Sequence, residues 1–346
     1  MENRGPVGTS NRAARLAVID YYDRCRDDYR ILWRTDENGS IHFGYFDEPQ
    51  SPGGPRRAME WLREAGTMGV GVVTAAAAGF AALTGTAWGR RTSVDLLRVA
   101  ARGRADRHDK AQARMTEICG EAVGLRDGDL VLDAGCGVGG TALWLAARYG
   151  VRVIGVNVQP AHLRDARARA LRHPAGTRVR FSAQDFTELA IRSDTVDVVW
   201  ALESVCHAQD KASFVREAYR VLRPGGRLMI ADFFLPGSAL TPQEQSHMRE
   251  WTAGWALPSL AVVPDLQKTL AAVGFRDIAY RDIRPHVLPS SRRLYKASLV
   301  ALPIDAVLRT LQVRGRRQGD NVRAAFRQYP TLCAGTWTYG IFVARK

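Results

Sequence analysis

The chain has 346 residues, 46% hydrophobic and 24% charged, with a formal net charge of +14. This composition excludes a disordered polymer and leaves room for a large core with a cap. The basic balance favours anionic partners, such as nucleic acid, an acidic membrane surface or a phosphorylated substrate, unless it only reflects abundant Arg, Ala and Gly. Five scattered cysteines, Cys25, Cys119, Cys136, Cys206 and Cys333, are never spaced C-x-x-C. That spacing argues against a disulfide framework or structural zinc site and for a reducing cytoplasm.

In chain order, residues 1–51 read as an N-terminal cap or lid. They lack the apolar core of a signal peptide and carry the aromatic set Tyr21, Tyr22, Trp33, His42, Phe43, Tyr45 and Phe46. Residues 52–110 read as a helical insertion. It contains an uncharged run, Met68 to Trp88, followed by Arg90 and Arg91. The run is long enough to span a bilayer, but its Gly, Ala and Thr make it a weak inserter. A buried or lid helix is the first reading, and contact with a membrane surface the second. Residues 111–235 read as the core. DLVLDAG, VRVIGVN, VRFSAQD, VDVVWALES and GRLMIADFF are strands, alternating with helices such as PAHLRDARARALR and KASFVREAYRVL; Pro224-Gly225-Gly226 stops the latter. Such alternation predicts a doubly wound parallel α/β sheet. Residues 236–346 read as the rest of the core with cap insertions. Thr241 and Glu244 form a capping box, a long insertion covers about Pro285 to Leu332, and TWTYGIFVARK alternates like a final strand.

Between the first strand and the first helix lies Asp133-Ala134-Gly135-Cys136-Gly137-Val138-Gly139-Gly140. Glycines there let backbone approach a ligand and turn tightly into the helix. A dinucleotide site would want an acid about twenty positions on, where Asn157 stands instead, and Asp133 gives the pattern D-x-G-x-G-x-G. VLDAGCGVGGTALWLA resembles motif I of the class I S-adenosylmethionine-dependent methyltransferases. VIGVNVQP, FSAQDF, VVWALES and RVLRPGGRLMIADFF resemble that family's later motifs, in order, over Leu130 to Phe234. The resemblance implies a Rossmann-like seven-stranded sheet with an antiparallel last strand, a mainly helical cap, and S-adenosylmethionine as cofactor. It implies that Asp133, Gly135 and Gly137 cradle the methionine end, with Cys136 a small filler of the loop. Asn157, with Val158 and Gln159, would face the ribose; Asp185 would accept from the adenine amino group beside Gln184 and Phe186; Leu202 would line the other side.

The cap resembles that of small-molecule methyltransferases acting on sterols, tocopherols, prenyl chains and antibiotic polyketides or sugars. Tyr21, Tyr22, His42, Trp251 and Trp255 are then candidate substrate residues, although aromatic rings usually serve packing. Arg292, Arg293 and Lys296 suggest a basic mouth on an apolar tunnel, unless they are solvated surface charges. Two chemistries fit the stretch ALESVCHAQDK. With a carbon acceptor, Glu203 would stabilise the cation and remove the proton. With a hydroxyl acceptor, His207 would be the general base and Asp232 would orient it. The apolar and basic cap favours C-methylation of a terpenoid, prenyl (including prenyl diphosphate) or sterol-like acceptor. O-methylation of a polyketide or glycoside hydroxyl is the alternative. No metal ligand set is expected, and Mg²⁺ enters only if the substrate is a diphosphate. The absence of an N/D-P-P-Y/F-like motif argues against nucleic acid. The expected partner is a small hydrophobic substrate in the cytoplasm, with membrane-surface contact through 68–88 and homo-oligomerisation both open.

Overall fold

The computed structural model describes residues 7–33, 39–51, 105–310, 312 and 314–346. The uncharged run from Met68 to Trp88 lies outside them. Five parallel strands form most of the sheet: β1 (Leu130–Ala134), β2 (Arg152–Asn157), β3 (Val179–Ala183), β4 (Val196–Leu202) and β5 (Leu222–Leu235). A two-residue strand, β6 (Ala261–Val262), pairs with the end of β5, and β7 (Arg276–Asp282) and β8 (Thr338–Arg345) complete the set. The order is β3-β2-β1-β4-β5-β8-β7, with β8 antiparallel to both neighbours. This is the expected Rossmann-like sheet with its antiparallel last strand. Only the short β6 is additional.

β1 and β4 read as near-continuous apolar runs because both faces of a parallel sheet are covered. One face carries α6 (Lys211–Val221) and α8 (Val263–Val273), whose Phe214, Val215, Leu266 and Leu270 share a core cluster, and the opposite face carries α4 (Gly140–Tyr149) and α5 (Pro160–Ala170), with Leu143 and Leu145 in the other cluster. These connect successive strands, with α6 and α8 packing together. Local chemistry sets their ends. Asp210 accepts from Ala212 N–H to cap α6, and Gly150 takes φ 71° to end α4. At the far end of the crossover, Arg227 Nη2 donates to both carboxylate oxygens of Asp129, each at 2.8 Å, in a buried ion pair. The pair locks the base of β5 against the entry to β1.

The rest of the cover comes from α1 (Val7–Arg24), α2 (Arg26–Leu32), α3 (Ala105–Val123), α7 (Pro242–Gly254), α9 (Arg284–Thr310) and α10 (Arg316–Ala334). The capping box read from Thr241 and Glu244 opens α7. Among the described residues, no helix is long and apolar enough to cross a membrane.

Two expectations about the cap are corrected. Trp251 is fully buried, 4.5 Å from Trp337 and 5.7 Å from Phe233 between ring centroids, and Trp255 packs at 6.2 Å on Phe233. They form core between the sheet and the α9–α10 hairpin, and among the described residues they line no crevice. A spacing of four residues puts both on one helix face, but only the tertiary fold decides what that face meets. The basic cluster is likewise structural. Arg292 donates to Tyr329 Oη and Gln50 Oε1, each at 3.0 Å, while Arg293 donates to the Leu32 carbonyl and lies over the Trp33 ring. These arginines tie α2 and the 39–51 segment to the hairpin.

That segment is a strap fixed along most of its length. Gly140 N–H donates to Gly39 O at 3.0 Å, Gln112 Nε2 to His42 O at 2.8 Å, and Tyr45 N–H to Ala111 O at 2.8 Å. Ser290 Oγ accepts from Gly44 N–H, and Phe46 N–H donates to His286 O. α1 is held separately. Tyr21 donates to Asn321 Oδ1 at 2.9 Å, and Gln159 Nε2 donates to Ile19 O and Asp23.

Candidate active site

The crevice opens at the carboxyl ends of β1, β2 and β4, under the strap and α1. This is where open α/β sheets place ligands. Its floor is the glycine loop. Gly135 has φ 98° and Gly137 φ 52°, conformations that favour glycine. A Cβ at Gly135 would stand 2.4 Å from Ser204 Cβ, and one at Gly137 would point at Ile41, 3.9 Å away. The loop is therefore bare backbone between the strap and the turn after β4.

Asp133 is buried at the end of β1, and its Oδ2 has no hydrogen-bond partner. Burial raises its carboxyl to about pKa 7. An orphaned buried acceptor carries a large desolvation cost, which a ligand cation would offset. Asn157, at the end of β2, accepts from Gln159 N–H at 2.9 Å through its amide oxygen, and its amide N–H groups are donors at the crevice. Asp185 Oδ1 accepts from Thr187 N–H and Oγ at 2.9 and 2.7 Å, and the residue lines the crevice. Phe186, Val158, Cys136 and Leu202 complete the lining. Burial pushes the Cys136 thiol well up, so it fills space and is no nucleophile.

Two of the residues expected here are spent elsewhere. Gln159 caps α5 through Ala161 N–H and grips α1 with its amide. Gln184 donates to Ser182 Oγ and accepts from Ala190 N–H. Neither faces the crevice. Conversely, Val18, Ile41, Thr141, His162 and Ser204 line it without having stood out in the sequence. Ser204 was legible by adjacency to Glu203; the others depend on how α1, the strap and α5 converge.

On the acceptor side stand Glu203, His207 and Tyr22. Glu203 follows β4 in a left-handed conformation, φ 50°, which is strained for a residue with a side chain. Its N–H bonds Ala231 O at 2.8 Å, and its Oε1 accepts from Phe43 N–H at 2.6 Å and Tyr339 Oη at 2.7 Å. Burial outweighs these donors, with Asp232 adding to it, and raises the carboxyl to about pKa 8. His207 closes the short 3₁₀ turn Val205–His207. Its Nδ1 lies 3.3 Å from Ala256 O, an acceptor only, so Nδ1 carries the proton and Nε2 is the lone-pair side. Tyr22 Oη, 3.1 Å from Nε2, donates to it. Burial lowers His207 to about pKa 4, which keeps it neutral.

Asp232 does not orient His207, a correction to the sequence reading. Its Oδ2 accepts from Cys206 N–H at 2.9 Å and its Oδ1 from Phe233 N–H at 2.8 Å. It shapes the turn from behind. Tyr21 is also outside the crevice, bonded to Asn321 and Tyr29. His42 is inside it, buried, with Nδ1 2.9 Å from Phe43 O. Among the described residues, no cluster of three or more His, Cys, Asp or Glu could hold a metal ion.

A mostly parallel sheet with a glycine-floored crevice, an acid at each of two strand ends and an orphaned acceptor at one of them defines an α/β protein whose crevice favours a ligand with a cationic group. Residues 132–230 match the family model described as "Methyltransferase domain". Methyltransferase GfsG of Streptomyces halstedii is 43% identical over 231 residues, 67% of this chain and 63% of that protein, so the chain spans under two thirds of that relative. O-methyltransferase resE of Aspergillus sclerotiorum is 30% identical over 189 residues, 55% of this chain and 70% of its own. Geranyl diphosphate C-methyltransferase from Streptomyces coelicolor A3(2), solved with Mg²⁺ and S-adenosyl-L-homocysteine, shares the fold with TM-score 0.62 and 16% identity, covering 96% of this chain and 97% of that one. The chain belongs to the S-adenosylmethionine-dependent methyltransferases.

Proposed function

We propose that the protein transfers a methyl group from S-adenosylmethionine to a hydroxyl on a small, largely apolar natural product of polyketide or glycoside type. The observation that carries this reading is the Tyr22–His207–Ala256 chain. A neutral imidazole with its tautomer fixed by a backbone carbonyl presents its basic nitrogen towards the crevice through a tyrosine hydroxyl. S-adenosylmethionine supplies the electrophilic methyl group. The protein's residues then have three tasks. Asp133 and the glycine loop hold the donor's charged end, the strap and α1 exclude water, and the base takes the acceptor's proton. As the new oxygen–carbon bond forms, the hydroxyl proton passes to Tyr22 Oη while Tyr22's own proton moves to His207 Nε2. The resulting imidazolium keeps its Nδ1–H on Ala256 O. The name of resE supports an oxygen acceptor.

This departs from the carbon acceptor favoured by the sequence, because the features behind that preference, Trp251, Trp255 and the basic cluster, are structural. The carbon reading keeps one support. Glu203 lines the same crevice, and the fold relative is named for C-methylation of geranyl diphosphate. Labelled methyl transfer should be measured to hydroxylated polyketides, glycosides, prenyl diphosphates, sterols and quinols, with and without Mg²⁺. Loss of activity in His207→Ala with activity retained in Glu203→Gln supports the hydroxyl acceptor. The opposite pattern, with deuterium loss from an allylic carbon, replaces it with the carbon acceptor.

A further inference from the structure

Lys211 opens α6, yet its side chain turns back onto the segment before it. Its Nζ donates to Cys206 O at 3.1 Å, to Ala208 O at 2.5 Å and to Ser259 O at 2.8 Å. An ammonium has three protons and no acceptor, so three carbonyls use its whole donor set. A cation in the first turn of a helix also works against the helix dipole. Asp210, the N-cap beside it, is committed elsewhere: it accepts from Ala212 N–H and Ser213 Oγ and pairs with Arg216. The position of Lys211 is therefore explained by the three carbonyls.

Those carbonyls belong to the two segments that define His207. Cys206 and Ala208 flank it in sequence. Asp232 accepts from Cys206 N–H at 2.9 Å while Lys211 donates to the Cys206 carbonyl, so this residue is held at both of its backbone polar groups. Ser259 lies in the loop between α7 and β6, which also carries Ala256, the residue whose carbonyl faces His207 Nδ1. Ala256 is left-handed, φ 53°, an uncommon state for a residue with a Cβ. Its contact with Nδ1, at 3.3 Å, is already at the long end for an N–H···O bond. A small drift of the loop loses it. A cap confined to the turn would need Cys206 and Ala208 alone; the bond to Ser259, 48 residues further on, joins turn to loop. Burial is the main cause that holds the imidazole at about pKa 4, and the ammonium's charge acts in the same direction.

We infer that Lys211 is a positioning residue for His207: by tying Cys206 and Ala208 to Ser259, it holds the imidazole against Ala256 O and keeps the Nε2 lone pair towards Tyr22. Lys211 stands outside the crevice lining, so it acts through His207 and not on a ligand. That the positioned ring serves as a base rests on the hydroxyl-acceptor reading, whereas its placement does not.

Nitrogen-15 NMR of the histidine rings at neutral pH tests this without turnover. The chain has seven histidines, and the His207 signals are those lost in His207→Gln. In the wild-type chain His207 is expected as one tautomer, with its proton on Nδ1. Lys211→Met keeps the stem but has no donor. It is expected to release the ring into a mixture of both tautomers, while affinity for S-adenosyl-L-homocysteine by calorimetry stays at the wild-type value. Lys211→Arg, whose guanidinium can still bridge turn and loop, is expected to restore most of the Nδ1–H form. If Lys211→Met does not fold, Lys211→Gln, one atom shorter and uncharged, is read in its place. A single Nδ1–H form in that variant overturns the inference. So does a mixture accompanied by weakened S-adenosyl-L-homocysteine binding, which marks a general loosening, or a mixture that Lys211→Arg does not reduce. A wild-type ring that is mixed, or protonated on Nε2, overturns it as well. Loss of the single tautomer in Lys211→Met, with no hydroxylated acceptor methylated by the wild-type chain, upholds the positioning role and removes the proposed reaction.

Discussion

Replacing Glu203 by Gln should make the protein more stable, and increasingly so as the pH rises. In the folded chain the Glu203 carboxyl titrates near pKa 8, against an ordinary 4.5, mainly because burial disfavours its charged form. Between these values the unfolded chain releases a proton that the folded chain retains. Stability contributed by the raised group is complete below about pH 4.5, declines as pH rises, and is exhausted above about 8. Each pH unit in that window removes at most about 1.4 kcal/mol. Glu203 is only half-buried at a crevice wall, and solvent screening lowers the figure to about 0.7 kcal/mol per unit. Gln can still accept from Phe43 N–H and Tyr339 Oη but has no proton to lose. Chemical denaturation of both proteins at pH 5, 6, 7 and 8 should therefore show a gap that widens by about 2 kcal/mol across the series. Taking the difference from pH 5 removes any constant packing effect of the substitution. A gap that stays flat, or narrows with pH, refutes the argument that burial dominates at Glu203.

His108 on α3 is buried with both ring nitrogens unpartnered among the described residues, 5.7 Å from the Trp33 ring. Burial lowers it to about pKa 2, so its stability contribution is full above about 6.5 and is lost as pH falls towards 2. His108→Phe should raise stability by about 1 kcal/mol at neutral pH by removing an unsatisfied buried group. The gain should grow on acidification in thermal melts at pH 7, 6 and 5. Gly135→Ala combines a left-handed φ with a Cβ 2.4 Å from that of Ser204. It should cost about 1–3 kcal/mol of stability and abolish detectable S-adenosyl-L-homocysteine binding by calorimetry.

What the sequence revealed and what it hid divide along a physical line. The glycine loop was legible because its φ angles and its bare backbone are properties of a few consecutive residues. The strand order followed from the resemblance to the methyltransferase family and the alternation of apolar runs with helices. The partners of Asp232 were not legible, since its bonds to Cys206 and Phe233 depend on how β5 aligns with the turn after β4. Nor were those of Gln159, a plausible ribose contact by position that instead caps α5 and grips α1. Trp251 and Trp255 show the same limit. Helical spacing placed them on one face, while Trp337, far along the chain, determined that this face is core. His207 was legible only as a candidate base, and its tautomer comes from Ala256, a contact across a loop.

The position of β8 between β5 and β7 has a kinetic consequence. β5 pairs with β8 across roughly a hundred residues of intervening chain, Arg227 with Arg345 and Phe234 with Thr338, and among the described residues β7 pairs with no other strand. Until β8 docks, β5 presents a long edge that is mostly apolar from Leu228 to Leu235, the kind of surface that pairs with other chains. Closure of so long a loop is entropically slow. Refolding yield should therefore be limited by this last insertion and fall with protein concentration. Tyr339, which holds Glu203, arrives with the same strand, so competence of the site and protection of the edge are acquired in a single event.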